Sequence, residues 1–239
     1  MTRRVAAALA ALLVGLTARV DGQVGYDPRA SPYRDVRETQ EITLFSGYYR
    51  AKKDPARIVP QSGPMFGALY QWRPSGPAHL NISVARVASE RNVLDPEVPA
   101  NCATAATANC KLIGTYRWPL YFLDAGFALS LTGARSFFRI VPEVKAGMGV
   151  ASDFHTRPDV GDFSFGTRFA FTWGAGIRYV PGGRFQLRAD LTNHLYSVKY
   201  PITYYQDASD GSTILTNQAR SAWLNNPGFT LGVSYLFSK

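Results

Sequence analysis

Histidine and cysteine are scarce in this chain of 239 residues, which has three of the first and two of the second. His79, His155 and His194 lie far apart, and no third Cys or His stands near Cys102 and Cys110. A structural metal centre needs about four ligands at short spacings, so the pattern argues against one, and no cofactor is expected. No phosphate-cradling glycine loop occurs. Beyond the N-terminal segment there is no run of about 18 apolar residues, so no membrane-spanning helix is expected in the mature chain. Acidic residues are also few: 17 Asp and Glu stand against 26 Lys and Arg, a net charge of +9. The basic residues are dispersed and match no nucleic-acid-binding motif, so nucleic acid is not an expected partner.

What is plentiful is aromatic residues (13 Tyr, 14 Phe and 4 Trp) and glycine, with 21. Aromatics favour strands, and glycines let strands bend and backbones crowd together. The chain opens with Arg3 and Arg4, then an uncharged apolar run from Val5 to Leu16, then Val20-Asp21-Gly22. This is the order of a secretory signal, with cleavage expected after Gly22. About a dozen apolar residues are too few for a helix to cross a ~30 Å bilayer core. Three bases and one acid leave with the signal, so the mature charge falls to +7. In an exported protein Cys102 and Cys110 are expected to form a disulfide, stabilising by roughly 2–3 kcal/mol.

Gln23 to Arg37 is polar, contains Pro and Arg, and reads as a periplasmic tail. From about residue 38 the pattern changes to strands separated by breakers. In 168–179, Phe169, Phe171, Trp173, Ala175, Ile177 and Tyr179 fall on one face and Arg168, Ala170, Thr172, Gly174, Gly176 and Arg178 on the other. A twelve-residue alternation of period two fits a strand and not a helix. The same logic sets Phe185, Leu187, Ala189 and Leu191 against Gln186, Arg188 and Asp190. It also sets Phe229, Leu231, Val233, Tyr235 and Phe237 against Thr230, Gly232 and Ser234. Further strands are read at 80–85, 121–131 and 140–150; two more, about 39–50 and 63–73, alternate less cleanly and their faces stay unassigned.

Eight strands need seven connections. Short ones are expected near 74–78, 132–137 and 181–184, and long ones near 51–62, 89–115, 151–166 and 196–226. Alternating short and long connections, with strands of about ten residues, match an outer-membrane barrel. A bilayer cannot hydrogen-bond free backbone groups, so such a sheet must close on itself. The large apolar face then looks at lipid, through Phe169, Phe171, Trp173, Ile177, Tyr179, Leu231, Val233, Tyr235 and Phe237. The small and charged face lines a narrow lumen, with Asp124, Glu143, Lys145, Arg168, Arg178, Arg188 and Asp190 as its charges. Eight strands leave room for side chains or one small ligand, so these charges are expected to pair and plug the interior. Tyr70, Trp72, Tyr116, Trp118, Tyr179, Tyr235 and Phe237 are expected at the head-group layer.

The run Gly-Ala-Gly-Ile-Arg-Tyr (174–179) and the ending Gly-Val-Ser-Tyr-Leu-Phe (232–237) resemble the small eight-stranded outer-membrane β-barrel superfamily, which includes the outer-membrane protein A transmembrane domain and the W-type and X-type proteins. The resemblance covers about residues 38–237 and implies an all-β, antiparallel, up-and-down transmembrane barrel in the bacterial outer membrane. It also implies that the barrel-assembly machinery reads the C-terminal strand, with Tyr235 and Phe237 as the signal. Here Ser238 and Lys239 follow the Phe, which displaces that signal slightly.

Chemistry is sparse. His194 and Ser197 are three apart in a strand and point to opposite faces, so they form no catalytic couple, and His79 reads as an interface residue beside a short turn. Asp153, Asp159 and Asp162 match no calcium-loop motif and read as turn formers. In the first long loop Arg50, Lys52, Lys53 and Arg57 face only Asp54. If external, they would meet lipopolysaccharide phosphates through charge-assisted contacts. The leading expectation is therefore a non-catalytic barrel with a structural or surface-interaction role. The alternative is a narrow channel for small, including hydrophobic, solutes.

Overall fold

A strand with one oily and one small or polar face must give each face a different solvent. The computed structural model, which describes residues 31–36, 39–98, 111–208, 211–215 and 220–237, places both faces. The described strands are β1 (Tyr33–Asp35), β2 (Gln40–Tyr49), β3 (Gly63–Ser75), β4 (Ala78–Val87), β5 (Glu90–Leu94), β6 (Leu112–Arg117), β7 (Leu120–Ser130), β8 (Arg135–Phe137), β9 (Ile140–Ser152), β10 (Thr167–Tyr179), β11 (Phe185–Lys199) and β12 (Ser221–Phe237). Eight of them, β2, β3, β4, β7, β9, β10, β11 and β12, pair antiparallel in that order. Then β12 returns to β2, from Gly228↔Tyr49 to Phe237↔Gln40. The sheet is a closed eight-stranded barrel, and closure leaves it no free edge. No described helix is long and apolar enough to cross a membrane.

These eight strands coincide with the eight read from the sequence, but four connections differ from expectation. The 23–37 stretch is not tail throughout: β1 pairs with β8, Tyr33↔Phe137 to Asp35↔Arg135, so the 132–137 turn carries a small ladder. Buried Val36 anchors it, donating its N–H to Ala134 O at 3.0 Å and accepting from Arg73 Nη2 at 2.6 Å. The 89–115 loop contains a hairpin, β5 with β6. The 196–226 connection is shorter than read, because β11 and β12 stay paired out to Lys199↔Ser221. There the inward Tyr196, Val198 and Leu224 are buried, so the ladder is held by packing beyond the span needed to cross lipid. The long 151–166 segment carries Phe163 and Phe165 inward, so it is part of the core. Cys102 and Cys110 lie outside the described residues.

The outer wall carries the large apolar side chains. Phe169, Phe171, Trp173, Ile177, Tyr179, Leu231, Val233 and Tyr235 are all exposed, and Phe237 is partly so. The two strands left unassigned now have faces. In β2, Ile42, Leu44 and Tyr48 point out and Glu41, Thr43 and Tyr49 point in; in β3, Phe66, Tyr70 and Trp72 point out and Met65, Leu69 and Gln71 point in. Such an apolar wall, 52% exposed at Phe169 and 56% at Leu231, has no stable place in water and matches the lipid-facing band of a transmembrane barrel. Tyr116 and Trp118 are not part of that wall. Tyr116 lies on the β6 hairpin, and Trp118 stacks on His155 at 4.1 Å and donates to Asp153 Oδ2 at 2.6 Å, within the loop cap.

Candidate functional site

The inward face changes character along the barrel axis. Toward the short turns it is ionic. Gly176 faces Asp190 across β10 and β11, and Arg178 faces Arg188. Two like charges side by side are unfavourable, and two carboxylates resolve the conflict. Arg178 reaches Glu41 Oε2 at 2.9 Å and Glu143 Oε1 at 2.8 Å; Arg188 reaches Glu41 Oε1 at 2.8 Å and Glu143 Oε2 at 2.9 Å. The result is a ring of two guanidiniums and two carboxylates, each carboxylate bridging both arginines. Arg188 Nε extends it to Asp190 Oδ2 at 2.7 Å, whose other oxygen takes Lys145 Nζ at 2.8 Å. Gln71 Oε1 accepts from Arg188 Nη1 at 2.5 Å. The Asp190 carboxylate packs against Gly176, where a Cβ would stand 2.0 Å from Asp190 Oδ1. A residue larger than Gly would push the Asp190 carboxylate away from Arg188 and Lys145.

The structure thus brings together Glu143, Lys145, Arg178, Arg188 and Asp190. Asp124 is buried further along the axis, and Arg168 is not in the lumen cluster. Arg168 sits at the long-loop end, donating to Phe165 O at 2.7 Å and Ser164 O at 3.0 Å, because its strand begins only at Thr167. Glu41 and Gln71 were not identified from the sequence, since they belong to the two strands whose faces were unassigned. His79 is not at an interface: it is buried inside, its Nε2 3.0 Å from Ser130 Oγ. Ser130 also meets Glu143 Oε1 at 3.3 Å and Arg178 Nη2 at 3.4 Å. This Ser–His contact is a spur of the ionic ring, sealed from any lipid substrate.

In the middle of the lumen lies a cavity of about 70 Å³, lined on its polar side by Asp124, Lys145, Thr172, Asp190, Thr192 and His194. His194 stacks on Phe122, with ring centres 4.2 Å apart. As expected, Ser197 lies on the opposite face of β11 from His194.

Toward the long loops the lumen is apolar, which the sequence pattern did not show. Tyr49, Met65, Val87, Leu120, Phe122, Ala170, Tyr196 and Leu224 from the strands pack with Ile58, Val59, Phe163, Phe165, Tyr204 and Leu215 from the loops. Tyr49 and Tyr196 satisfy each other inside it, hydroxyl to hydroxyl at 3.0 Å. The rule of small or charged residues inside therefore holds for only one half of the barrel. In the other half the loops fold down and supply a water-excluding plug.

The cap above is preorganised. Arg91 of β5 is buried, pairs with Asp159 Oδ2 at 2.9 Å, and lies over the rings of Trp118 and Phe163 at 4.5 and 5.1 Å. The second oxygen of Asp159 accepts from the backbone N–H of Gly161 and Phe163 at 3.1 and 2.9 Å. Asp153 likewise accepts from His155 N at 3.1 Å. Both are turn formers, and among the described residues no cluster of His, Cys, Asp and Glu could hold a metal ion.

In the first long loop Asp54 turns inward. Its carboxylate accepts from Val59 N at 3.3 Å, Ile58 N at 3.4 Å and Tyr200 Oη at 3.3 Å. Burial pushes the Asp54 carboxyl above its ordinary range, against the lowering effect of those hydrogen bonds. Burial and the nearby Asp54 also raise the Tyr200 phenol. With the acid turned in, Lys52, Lys53 and Arg57 remain exposed around a pocket of about 450 Å³, rimmed by the outward Tyr48, and Arg50 is exposed beside it.

No protein-family model and no curated protein matches the chain. Among solved structures, Neisserial surface protein A aligns over 83% of this chain and 97% of its own, at 11% identity and a TM-score of 0.48. AlkL, solved in lipid bilayers, aligns over 91% and 98% at 12% identity and a TM-score of 0.46. Outer membrane protein W of E. coli aligns over 84% and 100% at 14% identity and a TM-score of 0.45. These likenesses are faint, and the barrel stands on the closed pairing of this chain's own strands. Its architecture is that of the small eight-stranded outer-membrane barrels.

Proposed function

We propose that this chain is exported, with residues 1–22 as its signal, and works in the bacterial outer membrane as a shut barrel. Its role there is structural or surface-interacting, through the loops at the long-loop end, which face outward. One observation carries this reading: the lumen is closed twice, by the Glu41–Glu143–Arg178–Arg188 ring and by the aromatic plug around Tyr49, Phe122 and Tyr196. A barrel closed at two levels is built to hold loops in place and not to pass solutes. The cap's buried Arg91 clamp supports the same reading, because rigidly held loops are suited to recognition. The buried Ser130–His79 contact offers no surface for catalysis on lipid.

In this reading Arg50, Lys52, Lys53 and Arg57 meet lipopolysaccharide phosphates, because the pocket they surround opens beside Tyr48 at the lipid-facing rim. The barrel-assembly machinery reads Tyr235 and Phe237 during insertion, and residues 23–37 begin as a periplasmic tail. The test is single-channel recording of the purified barrel in planar bilayers, for wild type and Arg178→Ala. A shut barrel gives no steady conductance in the wild type. A reproducible open state in the wild type would favour the solute channel instead.

A further inference from the structure

Four buried carboxylates face the lumen among the described residues: Glu41, Asp124, Glu143 and Asp190. Three fixed cations face them, Lys145, Arg178 and Arg188, and each of these lies within 3 Å of Glu41, Glu143 or Asp190. Asp124 is left over. Its Oδ1 has no hydrogen-bond partner, and its Oδ2 lies 3.8 Å from His194 Nδ1, which has none either. Both residues are more than nine-tenths buried and line the 70 Å³ cavity. Glycine at 149 leaves room for this acid, since a Cβ there would stand 2.1 Å from Leu123 O and 2.6 Å from Asp124 Oδ1.

A carboxylate that lacks a hydrogen-bond partner, enclosed between an ionic ring and an aromatic plug, is strongly unfavourable as an anion. We infer that the cavity is a cation site, and that its cation is one proton carried by the Asp124–His194 pair, on one side chain or the other. The surroundings favour a proton over a metal ion. Lys145 of β9 brings its ammonium to the same cavity, and the volume is that of about two water molecules. Asp190 beside it is already held by Lys145 and Arg188. Tyr49 of β2, its ring centre 6.3 Å from that of His194, is bonded to Tyr196 of β11. The remaining neighbours are neutral: Asn81 and Ser83 of β4, Thr172 of β10, Thr230 of β12, and Met65 and Leu69 of β3. With the proton in place the lumen is neutral. Without it the fold carries a buried charge that the unfolded chain leaves in water.

The linkage has a definite sign. Above about pH 6.5 an unfolded Asp–His pair has released its protons, while the folded barrel retains one, so stability falls as the pH rises. The test is urea unfolding of the barrel in phosphatidylcholine vesicles from about pH 6.5 to about 9.5, for wild type and Asp124→Asn. Asn is neutral and removes the need for the proton. Relative to it, the wild-type unfolding constant should rise by up to about tenfold per pH unit. Parallel pH profiles for the two proteins would overturn the inference. A wild-type pH dependence that disappears in sodium but not in choline chloride would assign the site to a metal ion and overturn the proton. Should Asp124→Asn not fold, the wild type is read by carboxyl and imidazole NMR, with His194 assigned through His194→Gln. One shared titration step above neutrality is expected, and signals unchanged throughout would refute it.

Discussion

Arg178 and Arg188 sit directly opposite each other across β10 and β11, and each is bonded to both Glu41 and Glu143. Two positive charges that would repel are locked as neighbours by two carboxylates from strands β2 and β9. The ring therefore ties four strands of the barrel wall together across its interior.

Removing one member leaves a buried charge without its full compensation. Glu143→Gln is expected to destabilise the barrel by about 3–5 kcal/mol, and Arg188→Met by a similar amount. Urea unfolding in vesicles measures both. An unchanged midpoint for Glu143→Gln would mean that the ring contributes little.

Gly176 leaves room for the Asp190 carboxylate beside the ring, and Gly176→Ala is expected to cost about 1–3 kcal/mol, the range for overpacking a filled interior. Conversion of the heat-modifiable gel band at a lower temperature than in the wild type would report it. Ala tolerated without loss would show that Asp190 is free to move.

Much of this was legible in the sequence where the two faces differ chemically. In β10 the order Phe169, Phe171, Trp173 against Thr172, Gly174, Gly176 separates lipid from lumen because one set is large and the other small. In β2, Tyr48 points out and Tyr49 points in, so alternation carries no signal there. The long-loop half of the lumen is filled with aromatics, and an oily interior beside an oily exterior erases the period. That is why the apolar plug, and with it Glu41 and Gln71, could not be read. The partners of Arg188 lie up to 147 residues away, a pairing that register fixes and composition cannot. Ile58, Phe163 and Phe165 looked like loop residues because nothing local says that a loop folds inward.

The first loop should respond to pH. The Asp54 carboxyl is raised by burial, so the folded loop holds its proton more tightly than the unfolded chain does. Its contribution to stability is then greatest below the ordinary Asp value of about 3.9 and declines as the pH rises through the folded value. Limited proteolysis in 51–62, compared at each pH with Asp54→Asn, should show the wild-type loop better protected in acid. A pH-independent ratio would contradict the assignment.

The exposed cations of that loop should bind phosphate-bearing lipid. Changing Arg50, Lys52, Lys53 and Arg57 together to Ser is expected to weaken lipopolysaccharide binding, with the wild-type interaction fading as salt screens it. Undiminished binding would remove these residues from the interface.

A membrane-spanning barrel requires the outer side of the wall to meet lipid. A variant retaining Trp173 alone among the tryptophans, placed in vesicles of brominated phospholipid, tests this directly. Its fluorescence should be quenched strongly by the lipid bromines and hardly at all by aqueous iodide. Quenching by iodide with no effect of bromine would put Trp173 in water and contradict the membrane-spanning barrel.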